Sequence, residues 1–463
     1  MQPKWVLGID LGTTHVKALA LDNTGQVVFK ENLTPRLYTS ADGRYEQDPH
    51  EIMAMVQSLI KCCRSHASLL SIGLSGAMHT FIAVDEHSEP VTRVWTWMDR
   101  RASTAAQRLR TQGTAEQWYQ RTGCPVHAMS PAVKWLYFGH FTGALRPVAL
   151  KDWIFHELTG CWATDFSTAA ASGMLALSGV WDEEILNTLR LTPNMLPAIH
   201  PWDYNVNDVV LGGTDGALAH YGLNVLLQDH SGVMTWGTSA AIRVSTDALT
   251  PQQFMSSGSF AYFLGPMRGY LIGQALSNAG NVMAWTSKVL KMPIEEVIAR
   301  AVSSIESREP LPLFIPYLFG ERSPFWDETR TARFENILPE HDVGHFAGAV
   351  VLSLLALIRA AYKRLETSVG PLKSLHTGSN LSPMTPWGRL VTRLFDVPVF
   401  SVPDEDASAF GAAKLAARRQ GWTVLMDVPE ALSQESVENA LLPDGWVSRV
   451  DDMVSFLHDK NVG

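Results

Sequence analysis

The stretch VLGIDLGTTHVKALALD, Val6 to Asp22, decides how the rest of the chain is read. An apolar run from Val6 to Ile9 spells a strand, Asp10 follows, and Gly12-Thr13-Thr14 makes a turn before a second run, Val16 to Leu21. Asn23-Thr24-Gly25 predicts another turn before Gln26 to Phe29, so the segment reads as a β-meander. Its first turn gathers a carboxylate, a flexible glycine and two adjacent hydroxyls. Gly12 lets backbone N–H groups approach an anion, and Thr13 and Thr14 can donate to phosphate oxygens. Asp10 can hold Mg²⁺ directly or through water, because this hard cation prefers oxygen ligands and keeps much of its hydration. An ordinary hairpin would use the same residues as plain turn formers. The stretch alone leaves both readings open.

The whole chain narrows the choice. Its 463 residues suffice for two or three domains, and no segment is compositionally biased. A net charge of -9 argues against nucleic acid as the main partner. Cys62, Cys63, Cys124 and Cys161 have neither metal-site nor disulfide spacing, which predicts reduced thiols. With no signal peptide read at the start, a cytoplasmic location is expected. The most apolar long stretch, Phe346 to Ile358, is too short to span a bilayer, so no membrane association is expected; it predicts a helix buried on all sides.

Along the chain, Asp48 and Pro49 predict the cap and first turn of a helix over about 50–64. Strands are expected over Leu69 to Leu74 and Phe81 to Val84, flanking Ser75-Gly76-Ala77-Met78-His79-Thr80. Val94 to Met98 looks strand-like, with Asp99 capping the helix after it. A strand and glycine turn, Leu211-Gly212-Gly213-Thr214-Asp215-Gly216, opens a short Ala-rich helix, and Val225 to Ser231 is the expected boundary between halves. Immediately afterwards the opening pattern returns: strand, Gly237-Thr238-Ser239, strand. Two halves of related build, each with a hydroxyl-lined hairpin, could grip a polyphosphate from both sides. Later come a long helix over 344–366, the strand Ser374 to Thr377 ending at Gly378, a helix through Arg389 and Phe395, and a small-residue helix over 406–417. The remainder reads as a weakly patterned tail.

These segments, in this order, resemble the FGGY family of carbohydrate kinases. The resemblance rests on Gly8 to Thr14, Ser75 to His79, Trp97 to Arg101, Gly212 to Gly216, Gly237 to Ser239, Gly320 to Asp327, Gly378 to Asn380 and the 405–413 segment. It implies an α/β chain with the two-domain actin-like ATPase (ribonuclease H-like) fold. Mixed central sheets would be flanked by helices, and the active site would lie in the cleft between residues 1–228 and 229–463. It further implies ATP and Mg²⁺ as cofactors. Asp10, Gly12, Thr13, Thr14, Lys17, Gly237, Thr238, Ser239, Gly378, Ser379 and Asn380 would hold the nucleotide, with Asp10 and Asp215 at the metal. Asp215 aligns with the family's catalytic base, a role a carboxylate can fill by orienting a sugar hydroxyl and accepting its proton.

The acceptor is expected to meet Met78, His79, Trp97, Asp99, Arg101 and Asp215. His79 and Asp99 would bond hydroxyls, Trp97 would cover an apolar sugar face, and an arginine would suit a carboxylate. The plainer alternatives are a satisfied strand histidine and a solvated helix start at Arg100-Arg101. The wording around Met78-His79 and Trp97-x-Asp99-x-Arg101 looks most like the gluconate kinases, whereas xylulose kinases usually carry Gln where this chain has Ala77. A kinase for xylulose or another polyol or ketose remains the alternative, and a chaperone-like ATPase the remote one. Small-molecule acceptors are the expected partners, and a homodimer is left open.

Overall fold

A computed structural model describes residues 2–139, 145–225, 230–378, 381, 385–401, 406–424 and 446–459. Two six-stranded sheets carry the molecule. The first contains β1 (Lys4–Leu11), β2 (Val16–Leu21), β3 (Val27–Leu33), β4 (Ser68–Gly76), β5 (Asn205–Val206) and β6 (Val209–Thr214), in spatial order β5-β6-β4-β1-β2-β3. The second contains β7 (Ser231–Trp236), β8 (Ala240–Thr246), β9 (Phe260–Gly265), β10 (Gly269–Leu276), β11 (Ser374–Thr377) and β12 (Val399–Ser401), in order β9-β10-β8-β7-β11-β12.

The echo read from two turns extends through both sheets. In each, the opening strand pairs antiparallel with its hairpin partner on one side and parallel with a later strand on the other. A further parallel strand follows in both, β6 beside β4 and β12 beside β11. The second half adds β9, inserted before β10 in the chain and paired on its outer side. Parallel strands direct their carboxyl ends to one edge, which is where open α/β sheets bind ligands. Asp10, Gly76 and Asp215 lie at or just past the ends of β1, β4 and β6, and Gly237 and Gly378 follow β7 and β11.

Helix α1 (Pro49–His66) begins as expected, with the Asp48 carboxylate accepting from the backbone N–H of His50 and Glu51. Helix α2 (Asp215–Gly222) follows β6, and α3 (Gly280–Leu290) follows β10. The apolar stretch belongs to α4 (Val343–Val369), which at 27 residues is longer than read and long enough to cross a membrane. Length therefore does not decide the matter. The helix instead forms the centre of the second core, where Val350, Val351, Leu354, Leu355 and Ile358 are buried.

The small-residue helix, α5 (Ala407–Arg419), packs on the first sheet although it follows the second in the chain. The strands of the first sheet all precede residue 215 and those of the second all follow residue 230; the expected boundary between 228 and 229 lies outside the described residues, while α5, later in the chain, packs on the first sheet. Backbone meets backbone there: a methyl group on Gly8 would stand 2.1 Å from the Ala409 carbonyl oxygen, and one on Gly73 would stand 2.0 Å from that of Ala412. The small residues are thus explained by close packing alone.

Three local expectations need correction. The 94–98 segment is extended only over Val94–Trp95, and the next helix begins at Ser103 without Asp99 as its cap. Asp99 is committed elsewhere, as the site shows. The helix through Arg389 ends at Thr392, short of Phe395. The tail contains α6 (Trp446–Asp459), whose Trp446, Val450, Met453 and Leu457 pack into the second core. That spacing is a helical stripe, and it was legible in the sequence.

Candidate active site between the two lobes

The opening turn is held from several sides. Asp10 lies opposite Lys17 across the hairpin and opposite Ser75 on β4, whose hydroxyl donates to its carboxylate at 2.6 Å. Burial pushes the Asp10 carboxyl up, while Ser75, Lys17 and Ser408 pull it back only in part. The Gln47 amide donates to the Thr13 carbonyl at 2.8 Å, Gly12 bends tightly against His15, and the Thr14 side chain is exposed. Lys17 reaches the residue before α5, with Nζ 2.7 Å from Asp406. The second turn is tied to the start of α3: Gly280 donates to the Gly237 carbonyl at 3.0 Å and Asn281 to that of Thr238 at 3.2 Å. Ser239 is half-buried and Thr238 exposed, so both hydroxyl turns present themselves. Gly378 is half-buried past β11, whereas Ser379 and Asn380 lie outside the described residues.

Asp215 opens α2. Its carboxylate accepts from the Gly216 N–H at 2.7 Å. Burial pushes its carboxyl up to about 6; the Arg243 guanidinium opposes this, and the Asp10 charge adds to it. Such a group is a carboxylate at neutral pH yet basic enough to take a proton. Met78 packs against Gly216, and a methyl placed there would meet its Cε at 2.7 Å.

Arg243 was not anticipated. It stands on β8 of the second lobe, donates to the Thr235 hydroxyl at 3.1 Å, and keeps Nε buried without a partner. The only signal was a cation within an otherwise apolar strand, AAIRV, directly after the phosphate-type turn.

The residues expected to bind the acceptor divide into two groups. His79 adopts a left-handed backbone conformation (φ 62°), and both ring nitrogens are engaged. Nδ1 meets the Ala171 carbonyl at 2.8 Å and Nε2 meets the Tyr262 hydroxyl of the opposite lobe at 3.2 Å. Burial and the neighbouring Lys134 charge pull the ring down to about 3, so it is neutral. It is a seam residue in a turn and has no vacant nitrogen for a hydroxyl in this arrangement.

Asp99 and Arg101 are likewise committed, to each other. Arg101 donates to Asp99 through Nε and Nη2 and to Glu46 at 2.6 Å, and its guanidinium lies 3.7 Å from the Trp95 ring centroid. Asp99 also accepts from the backbone N–H of Tyr45 and Arg101. Neither the solvated helix start nor the free carboxylate reader describes Arg101: it is the centre of a buried ion cluster. Lys134, also unforeseen, donates to the carbonyls of His79, Trp95 and Thr96, fastening both acceptor loops.

Trp97 does face open space. It lines an interlobe cleft of about 190 Å³ with Tyr45, Arg100, Thr238, Phe319 and Arg322. A second, much smaller cavity of about 40 Å³ lies within the first lobe behind Met78 and His79, with largely apolar walls. Thr238 and the charged side chains Asp99, Arg100, Arg322 and Glu328 border the interlobe cleft.

Two halves of common topology, with hydroxyl turns at corresponding strand ends, define a two-lobed fold of the actin-like class. Residues 5–210 match the N-terminal domain of the FGGY family of carbohydrate kinases, and residues 232–419 match its C-terminal domain. The chain belongs to that family and is an ATP-dependent carbohydrate kinase. It is 29% identical over 461 residues to the gluconokinase of Bacillus licheniformis, covering 92% of this chain and 89% of the relative. With the xylulose kinase of Lactococcus lactis subsp. lactis it shares 26% over 393 residues, covering 78% and 77%. A gluconate kinase structure from Lactobacillus acidophilus superposes with a TM-score of 0.84 at 23% identity, covering 99% of this chain and 98% of that one.

Proposed function

We propose that this kinase phosphorylates the terminal hydroxyl of gluconate, forming 6-phosphogluconate. Asp215 carries the reading: a buried carboxylate with an elevated pKa, within reach of the Asp10 charge of the first lobe and the Arg243 charge of the second. The acceptor hydroxyl donates its proton to Asp215 as its oxygen attacks the terminal phosphorus of ATP, and ADP leaves. Thr13, Thr14, Thr238 and Ser239 would surround the phosphates as donors. Asp10 and Asp215 would fit a Mg²⁺ ion, since the Asp10 charge raises the Asp215 carboxyl and this ion needs only one or two carboxylates besides phosphate and water. When bound, the ion would neutralise phosphate charge. Gluconate is favoured by the gluconokinase relatives and by the cations lining the cleft.

A ketose such as xylulose is the second reading, supported by the xylulose kinase relative. A coupled assay of ADP release over gluconate, other aldonic acids, xylulose and glycerol tests both. The expected result is a kcat/KM for gluconate at least roughly tenfold above any neutral acceptor. A neutral ketose in first place would replace gluconate, and ATP turnover independent of every acceptor would remove the kinase reading.

A further inference from the structure

A buried salt triad is joined to the turn that carries Asp215. Lys151, in the helix Leu150–Thr159, has Nζ 2.8 Å from the Asp152 carboxylate and 3.3 Å from that of Asp165, and all three side chains are at most 3% exposed. The Lys151 stem packs against Gly76 at the end of β4, where an added methyl would stand 2.8 Å from its Cβ. Asp165 closes the short strand Ala163–Asp165 and accepts from the backbone N–H and the hydroxyl of Ser167 and from the Thr168 hydroxyl. The Ser167 oxygen in turn accepts from the backbone N–H of Thr214 at 3.0 Å. Ser167 and Thr214 are buried as well, and Thr214 caps α2 directly ahead of Asp215. The connection from Lys151 through Asp165 and Ser167 therefore ends one residue from the base.

The strand leading to this turn slips in register against β4 between Val210 and Gly213. Gly213 leaves room for the contact, since a methyl group there would stand 3.1 Å from Ser167 Oγ and 3.2 Å from Asp165 Oδ2. Replacing a buried ion group by apolar residues of similar volume is often neutral for stability. Apolar residues cannot, however, aim an acceptor at one N–H. Here Lys151 fixes the Asp165 carboxylate, the carboxylate takes the Ser167 proton, and the hydroxyl lone pairs are left for Thr214. A general base must lie within hydrogen-bond reach of the proton it takes, and a misplacement of about 1 Å costs about 100-fold.

We infer that Ser167, oriented by Asp165 and Lys151, is a positioning residue that fixes the turn from which Asp215 takes the acceptor's proton. This rests on Asp215 being the base and not on the identity of the acceptor. The test is a double-mutant cycle of Ser167→Ala and Asp215→Asn, assayed on whichever acceptor the enzyme turns over fastest. Ser167→Ala leaves the Thr214 N–H without its acceptor and is expected to lower kcat roughly 10-fold, with KM for ATP within about 3-fold of wild type. In the Asp215→Asn background the same change should alter kcat by less than about 2-fold, because a residue acting through the base has nothing left to position. Asp165→Asn keeps an acceptor for Ser167 but loses the charge facing Lys151, and should show a smaller loss with the same non-additivity. It carries the cycle if the alanine variant does not fold. Losses that multiply in the double variant would make Ser167 a brace of the fold and overturn the inference, as would an unchanged kcat in Ser167→Ala. Near-normal turnover in Asp215→Asn would overturn the base reading and this inference together, whereas a slow Asp215→Asn enzyme beside an indifferent Ser167→Ala would overturn the inference alone.

Discussion

Replacing Arg101 by leucine would leave Asp99 and Glu46 buried without their shared cation. Breaking a buried pair in this way costs about 3–5 kcal/mol, mainly because the remaining charge loses its compensation. Arg101→Leu should therefore lower the melting temperature and impair all acceptors alike; selective loss of acid substrates with unchanged stability would contradict the ion-cluster role. Sequence pattern could place Arg101 near the acceptor but not choose its partner. Asp99 lies two residues away, whereas Glu46 comes from a distant strand, and only folding joins them. His79 shows the same limit, since the Tyr262 hydroxyl that occupies its Nε2 belongs to the other lobe. Asp215 and the hydroxyl turns were legible because their chemistry lies within a few consecutive residues.

At the scale of elements, the strands were readable from their apolar runs and glycine turns, and the related build of the halves from one repeated turn. The docking of α5 on the first sheet was not, because a small-residue helix carries no address. Its partner surface is recorded in Gly8 and Gly73, which sit in strands where any larger residue would otherwise do. Gly73→Val should destabilise the fold by about 1–3 kcal/mol or more, because the obstructing atom is backbone and cannot rotate away. Chemical denaturation measures this, and wild-type stability in that variant would show that α5 does not hold the sheet so closely. Because Asp406 precedes α5 and holds Lys17, such loosening should also reach the phosphate turn.

At the scale of the molecule, two lobes bring together groups that neither possesses alone: Asp10 and Asp215 from the first, Thr238, Arg243 and Arg322 from the second. Closure around both substrates would exclude water from the transferring phosphoryl group. The central claim is that Asp215 is the base at this meeting point, and it is tested by the pH profile of kcat/KM for wild type and Asp215→Asn. Because burial raises this carboxyl and catalysis needs it deprotonated, wild-type activity should be level above about pH 7 and fall tenfold per unit below about 6. The asparagine variant should still bind nucleotide, lose roughly 10²- to 10⁴-fold in rate, and lose that acid limb. Near-normal turnover in the variant, with the acid limb intact, would contradict the account.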